Sequence, residues 1–362
     1  MNFPERFLIE GNVYSMNDLV ALCKKKLESV EVSEWEKEIY GFIHDFLDHS
    51  ATIQQYTSGT TRQAKGMNLR RSSMLESAGK TIKYFNLQKS DKILLCLPIR
   101  YIAGKMMVVR ALLGELDLHY LKPTGDPYSK LNYQVKFAAM VPLQVHNGLE
   151  SRKNFSKIEK LLIGGGEIHA ALRDRLVVQG KCEAYESFGM TETYSHFALR
   201  EINSVSTGST SLNTFNTLPG TLIDLDDRGC LTVDIPGITI DRVVTNDLVE
   251  ILSETTFQWL GRIDNIINTG GVKIIPEALE SRINNILGIE VLLAGVPDDQ
   301  LGQKLILIAE DGQMKPEVMY EKLSENLQQA EKPREIYTVD QFQRNESYKI
   351  DRKKVMEKIF WG

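Results

Sequence analysis

Short apolar runs that close on turn residues alternate along this chain with polar segments of helical periodicity, and this alternation restricts the fold more than any other feature. The spacing predicts strands over Asp91–Pro98, Ile158–Gly166, Cys230–Ile235, Glu290–Val296 and Lys304–Glu310. It predicts helices over Asn68–Asn86, Gly104–Leu113, His169–Gln179, Pro276–Leu287 and Pro316–Gln329. Helices interleaved with strands cover the faces of a sheet, so the pattern implies an α/β architecture whose sites lie at strand ends. Asn203–Leu231, rich in Ser, Thr, Asn and Asp, reads as a turn-rich β section. Near Gly261 the character shifts toward a compact α+β unit, which puts a domain boundary there.

Composition narrows the function. With 362 residues, 42% of them hydrophobic and 25% charged, the chain can build two or three cored domains. A net charge of −5 offers no general attraction for nucleic acid or an anionic membrane, so an anion site must be local and the partners small molecules. Cys23, Cys96, Cys182 and Cys230 are far apart and form no C-x-x-C pair, which argues against a zinc knuckle or a disulfide framework and for packed or surface thiols in a reducing compartment. His44 and His49 are the nearest histidine pair, and no H-E-x-x-H spacing occurs; G-x-S-x-G is also absent. Without a basic-then-apolar start or a membrane-length apolar run, the expected location is the cytoplasm.

The most concentrated chemistry lies in Gln55–Gly66, QYTSGTTRQAKG. Thr57, Ser58, Thr60 and Thr61 bring hydroxyls, Gly59 lets backbone approach a ligand, and Lys65 brings positive charge, so the segment reads as a phosphate-holding loop. A solvated Ser/Thr/Gly turn is the alternative. It is neither a G-x-x-x-x-G-K-[ST] loop nor a G-x-G-x-x-G fingerprint.

Further motifs follow in order: LLIGGGE (Leu161–Glu167), ESFGMTET (Glu186–Thr193), VVTNDLVE (Val243–Glu250), WLGRIDNIINTGGVKIIPEALE (Trp259–Glu280) and ESYKIDRKKV (Glu346–Val355). From about Gln55 to the C-terminus the chain resembles the adenylate-forming superfamily of AMP-binding acyl-CoA synthetases. LCLPIRYIAGKMMVVRAL (Leu95–Leu112) makes it most similar to compact o-succinylbenzoate–CoA ligases. The resemblance implies a large N-terminal α/β domain over 1–262, shortened ahead of the phosphate loop, and a small, mobile C-terminal α+β lid over 263–362. It also implies an acid–CoA ligase of the menaquinone pathway that uses ATP, Mg²⁺ and coenzyme A. Ligation of another acid, loading of a carrier protein, and a degenerate nucleotide-binding protein are the alternatives.

A carboxylate, with a reference pKa of about 4, is ionised at neutral pH and attacks an α-phosphate without a general base, needing only relief from anion repulsion. By resemblance, Thr57, Ser58, Gly59, Thr60, Thr61 and Lys65 hold the β- and γ-phosphates, Thr191 contacts the α-phosphate, and Glu192 is the magnesium ligand. Gly164, Gly165 and Gly166 pass near adenine, and Phe188 stacks on it where the family usually has tyrosine. Asp247 accepts hydrogen bonds from the ribose hydroxyls, Arg262 supports ribose or phosphate, and Asn246 replaces a usual glycine. Lys349 drives adenylation, Asp264 is the hinge, and Gly270 and Gly271 form the loop toward CoA. Arg62 and Ala64 replace the usual glycine and proline of the phosphate loop. Tyr101 stands where an aromatic residue or histidine meets the carboxylate. Lys105 and Arg110 are candidate anchors for a second carboxylate, the alternative being a helix with solvated basic residues.

Overall fold

The computed structural model describes residues 4–48, 50–56, 66–151, 154–166, 168, 170–202, 214–344 and 350–360. They fall into two compact units, one formed by Met1–Gly165, Leu176–Leu222 and Val233–Val243, the other by Gly166–Arg175, Ile223–Thr232 and Val244–Gly362.

The first unit is built on a sheet whose strands are β1 (Phe7–Ile9), β2 (Asn12–Tyr14), β5 (Lys92–Leu95), β6 (Asp117–Tyr120), β7 (Val135–Met140), β8 (Ile158–Ile163), β9 (Glu183–Gly189), β10 (His196–Glu201) and β11 (Thr214–Thr217). A separate hairpin pairs β3 (Thr52–Tyr56) with β4 (Gly66–Arg70). Within the sheet the order is β11-β10-β9-β8-β7-β5-β6-β1-β2. From β1 to β9 neighbours run parallel, while β1–β2, β9–β10 and β10–β11 are antiparallel. Ile93, Leu94 and Leu95 are all buried, as strands covered on both faces require. The chain moves from β5 to β6 on one side and then to β7 on the other, so a topological switch point lies between β5 and β7, where doubly wound sheets open a crevice.

Helices α1 (Met16–Glu28), α2 (Glu34–Leu47), α3 (Arg71–Tyr84), α4 (Ile102–Gly114) and α5 (Pro142–Ser151) belong to this unit. Ser15 caps α1 by accepting the Asp18 N–H. The helix expected from Asn68 starts later, at Arg71. Met67, Asn68 and Leu69 alternate in the period of a strand, bury Leu69 and pair with β3.

The second unit holds the strand series β12 (Leu222–Leu225), β13 (Cys230–Asp234), β14 (Val243–Ser253) and β15 (Thr256–Arg262). It also holds a five-stranded sheet of β16 (Ile267–Thr269), β17 (Val272–Ile274), β18 (Val291–Asp298), β19 (Gly302–Glu310) and β20 (Glu335–Val339), in the order β17-β16-β19-β18 with β20 beside β19. α6 (Ala170–Gln179) starts in this unit, and α7 (Pro276–Leu287), α8 (Pro316–Asn326) and α9 (Arg352–Phe360) cover the small sheet. Leu293, Leu305 and Leu307 pack with α7 and α8, while Leu292, Ile306 and Ile308 pack with Val355 of α9, the two-residue alternation of strands buried on both faces. Proline at the first turn starts α7 and α8, and Gly288 at φ 71° ends α7.

All four cysteines are buried, and no disulfide links them. Among the described residues no helix is long and apolar enough to cross a membrane.

Candidate active site

Thr57, Ser58, Gly59, Thr60, Thr61, Arg62, Ala64 and Lys65 lie outside the described residues, and so does Lys349. The strands that bound the first of these segments are in place: Tyr56 faces Gly66 and Gln55 faces Met67 across the β3–β4 hairpin. Lys105 braces this hairpin. Its Nζ donates to the Gln54 carbonyl at 3.0 Å and to Gln55 Oε1 at 2.8 Å, and Gln55 Nε2 donates to the Arg100 carbonyl at 2.9 Å. Lys105 lies 5.8 Å above the Phe42 ring and is 9% exposed, and burial lowers its ammonium below the ordinary lysine value.

β5, β8 and β9 run parallel, so the segments leaving them emerge on one edge of the sheet. β5 leads to Tyr101, half-buried at the N-terminus of α4 beneath the Arg100 guanidinium. β8 leads to Gly164–Gly166. A Cβ on Gly164 would lie 2.3 Å from Ser187 Oγ, which donates to the Ile163 carbonyl, and Gly165 has φ 76°; both facts require glycine. Gly166 begins the second unit. β9 carries Phe188, whose ring meets Phe197 and Phe215 edge-on at 5.7 and 5.2 Å, and Glu186, in a buried ion pair with Arg200.

Gly189 leaves no room for a side chain against the Ser195 carbonyl, at 2.4 Å, and the chain then turns through a 3₁₀ segment, Thr191–Thr193. Thr193 Oγ1 accepts the Met190 N–H at 3.1 Å and donates to the Ser195 carbonyl at 2.8 Å. This presents Thr191 half-buried and Glu192 exposed. Among the described residues no three His, Cys, Asp or Glu side chains form a metal cage. A lone exposed carboxylate still fits Mg²⁺, which takes one or two protein carboxylates and completes its shell with phosphates and water.

Arg110 does not lie on a solvated helix face. It is 2% exposed, donates from Nη2 to Ser195 Oγ at 2.8 Å, and its Nη1 lies 3.5 Å from Met107 Sδ. Its Nε has no hydrogen-bond partner, and no carboxylate pairs with it among the described residues. Burial pulls its guanidinium down to about 9, which leaves it charged at neutral pH. Beside it, His196 Nδ1 is 3.2 Å from Ser195 Oγ while Nε2 is unpartnered; burial and Arg110 push the imidazole well below its ordinary value, so it is neutral. Ser195 and His196 carry no motif signal, because their place beside Arg110 arises only from packing against α4.

In the second unit, Asp247 on β14 is buried opposite Arg262 on β15. Trp259 Nε1 donates to Asp247 Oδ1 at 3.0 Å, and Arg262 Nη1 lies 3.8 Å from the same oxygen. Arg262 Nη2 donates to Asp264 at 2.8 Å, and Asn246 Nδ2 reaches both Asp264 oxygens at 3.2 and 3.1 Å. The Arg262 hydrogen bond, above all, holds the Asp264 carboxyl below the usual carboxylate range. Asn246 is not among the residues with positive φ, so replacing glycine there imposes no left-handed backbone. Gly270 and Gly271, at φ 58° and 82°, form the two-residue turn of the β16–β17 hairpin, a conformation made for glycine pairs. Arg352, three residues after Lys349, donates to Glu280 at 2.6 Å and to the Leu293 carbonyl at 2.9 Å, which anchors α9; burial raises Glu280 to about 7.

Residues 23–228, more than half of the chain, match a protein family described as AMP-binding enzyme. The chain is similar to the 2-succinylbenzoate–CoA ligase of Staphylococcus epidermidis, 26% identical over 373 residues that cover 96% of this chain and 75% of the relative. It is also similar to a solved acyl-CoA synthetase (AMP-forming)/AMP-acid ligase II-like protein of Dyadobacter fermentans, at 32% identity and TM-score 0.62, over 93% of this chain and 97% of that one. The o-succinylbenzoate CoA synthetase of Bacillus subtilis, solved with its acyl-adenylate intermediate, has the same fold at TM-score 0.77 and 17% identity, over 97% and 95% of the two chains. The fold class expected from the sequence holds: a large N-terminal α/β domain with a smaller C-terminal α+β domain.

Proposed function

The chain belongs to the AMP-binding enzyme family, and on that premise we propose that it is an AMP-forming acid–CoA ligase whose substrate is o-succinylbenzoate, in menaquinone synthesis. The observation that carries the choice of acid is Arg110. A guanidinium charged at neutral pH and buried without a carboxylate partner among the described residues is costly unless an anion joins it. A dicarboxylic acid brings that anion, keeping its second carboxylate on Arg110 while the first reacts. The relatives named 2-succinylbenzoate–CoA ligase support the same reading.

In the first half-reaction the ionised carboxylate attacks the α-phosphate of ATP and expels pyrophosphate. Thr57, Ser58, Gly59, Thr60, Thr61 and Lys65 bind the β- and γ-phosphates, Thr191 orients the α-phosphate, and Asp247 and Arg262 hold the ribose. Phe188 and Gly164–Gly166 receive adenine, and Tyr101 closes on the acid. Glu192 holds Mg²⁺, which when bound neutralises phosphate charge. Lys349 meets the charge that builds on the α-phosphate in the transition state. In the second half-reaction the CoA thiol displaces AMP. Residues 263–362 then act as a lid that turns about Asp264 and brings the Gly270–Gly271 hairpin toward the pantetheine arm.

ATP–pyrophosphate exchange across o-succinylbenzoate, benzoate, short fatty acids and amino acids, followed by CoA addition, tests this. Exchange with o-succinylbenzoate and not with benzoate is expected; exchange with a monocarboxylic acid alone would discard the assigned substrate.

A further inference from the structure

From Val244 to Arg262, β14 and β15 lie within one unit and pair antiparallel, and their register breaks beside Asp247. Asp247 stands opposite Arg262 and Leu248 opposite Gly261, but Val249 stands opposite Trp259, so Leu260 is an extra residue in β15. In a regular strand, side chains three positions apart leave on opposite faces. The bulge cancels that alternation and brings both Arg262 and Trp259 to Asp247. Glycine permits the bulge: Gly261 has φ 153°, and a Cβ there would lie 2.5 Å from Glu277 Oε2. Of the two side chains, Trp259 is the nearer. Its Nε1 donates to Asp247 Oδ1 at 3.0 Å, whereas Arg262 Nη1 lies 3.8 Å from that oxygen and Arg262 Nη2 donates to Asp264 at 2.8 Å. The backbone is tied as well, the Asp247 N–H donating to Thr245 Oγ1 at 3.0 Å.

We propose that Trp259 is a positioning residue for ribose recognition: its indole N–H holds Asp247 Oδ1 and so fixes the plane of the carboxylate that accepts the 2′- and 3′-hydroxyls of the nucleotide. This rests on the reading of Asp247 as the ribose ligand. An indole N–H donates and never accepts, so it takes no hydroxyl proton from the ribose and serves only to orient the acceptor. A carboxylate oriented in advance loses no rotamer freedom when the nucleotide arrives, whereas one ordered on binding costs affinity. A nucleotide without ribose hydroxyls makes no use of that orientation.

Trp259→Phe keeps an aromatic ring in the bulge and removes the N–H. Calorimetric titration of the full chain with AMP and with 2′,3′-dideoxy-AMP is expected to show AMP binding weakened about 3–10-fold, the loss of one intramolecular hydrogen bond, with dideoxy-AMP binding unchanged. The preference for the ribonucleotide then shrinks by the same factor. Thermal melting confirms that the variant is folded. Unchanged AMP binding, or equal weakening of both nucleotides, overturns the proposal, since a purely structural role moves both ligands. Asp247→Asn, titrated with the same pair, separates the two levels. If it lowers the ribonucleotide preference while Trp259→Phe leaves it intact, only the positioning role fails; if it leaves the preference intact too, the reading of Asp247 as the ribose ligand fails and the positioning role with it.

Discussion

At the scale of single residues, packing explains choices that motif spacing only flags. The triple glycine after β8 is legible as a strand-to-helix turn, yet the sequence does not say which glycine is needed for what. A Cβ on Gly164 would meet Ser187 Oγ at 2.3 Å, while Gly165 is needed for its left-handed φ of 76°. Gly164→Ala is therefore expected to destabilise the chain by about 1–3 kcal/mol, as overpacking does, and Ser187→Ala in the same chain should recover part of that loss. Urea unfolding of the two single variants and the double variant checks it; strictly additive losses would rule out the contact. The two basic residues of α4 make the same point. In sequence Lys105 and Arg110 are equivalent, but one braces Gln54 and Gln55 and the other lies buried without a carboxylate partner among the described residues.

At the scale of elements, the β1–β2 hairpin shows how a sheet edge is held by charge. Its turn uses Glu10 at φ 50° and Gly11 at φ 76°, and the Glu10 backbone is strained. Three contacts compensate: Glu10 Oε1 accepts the Tyr120 N–H at 2.9 Å, Asp117 Oδ1 accepts the Gly11 N–H at 2.9 Å, and His119 lies between Asp117 at 2.8 Å and Glu10 at 3.5 Å. Burial opposes charge on His119, but the Glu10 carboxylate beside its Nδ1 and the hydrogen bond between its Nε2 and Asp117 outweigh it and raise the imidazole above its ordinary value. Its stabilisation is complete below the unfolded value of 6.5 and is lost as pH rises through the folded one. Burial likewise opposes charge on Glu10, and the neighbouring His119 imidazole together with the Tyr120 N–H outweighs it and lowers the carboxyl. That contribution is present above the unfolded value of 4.5 and lost as pH falls through the folded one. The Tm difference between the wild type and His119→Gln should thus be largest between pH 4.5 and 6.5 and shrink in alkali. A difference independent of pH would refute the charge account.

At the scale of the whole molecule, the proposed function puts two half-reactions on one chain, and they need different groups. Charge builds on the α-phosphate only during adenylation, so Lys349→Ala should cut adenylate formation by about 100-fold or more while thioester formation from preformed acyl-AMP stays largely intact. The two rates are measured separately, and equal losses would refute the division. Arg352 and Glu280, which anchor the helix after Lys349, are a pair separated by 72 residues, and nothing in either local stretch announces the other.

The alternation of apolar runs and helical segments determined the α/β class and placed the five strands and five helices it marks, because period and turn chemistry are local properties that survive tertiary packing. The order of motifs likewise determined the family. Tertiary structure alone decided that Met67–Leu69 pairs as a strand, that Lys105 and Arg110 have different partners, and that Tyr194 reaches Arg70 across 124 residues. Those outcomes depend on burial and on contacts between distant segments, whose energies exist only once the chain has closed on itself.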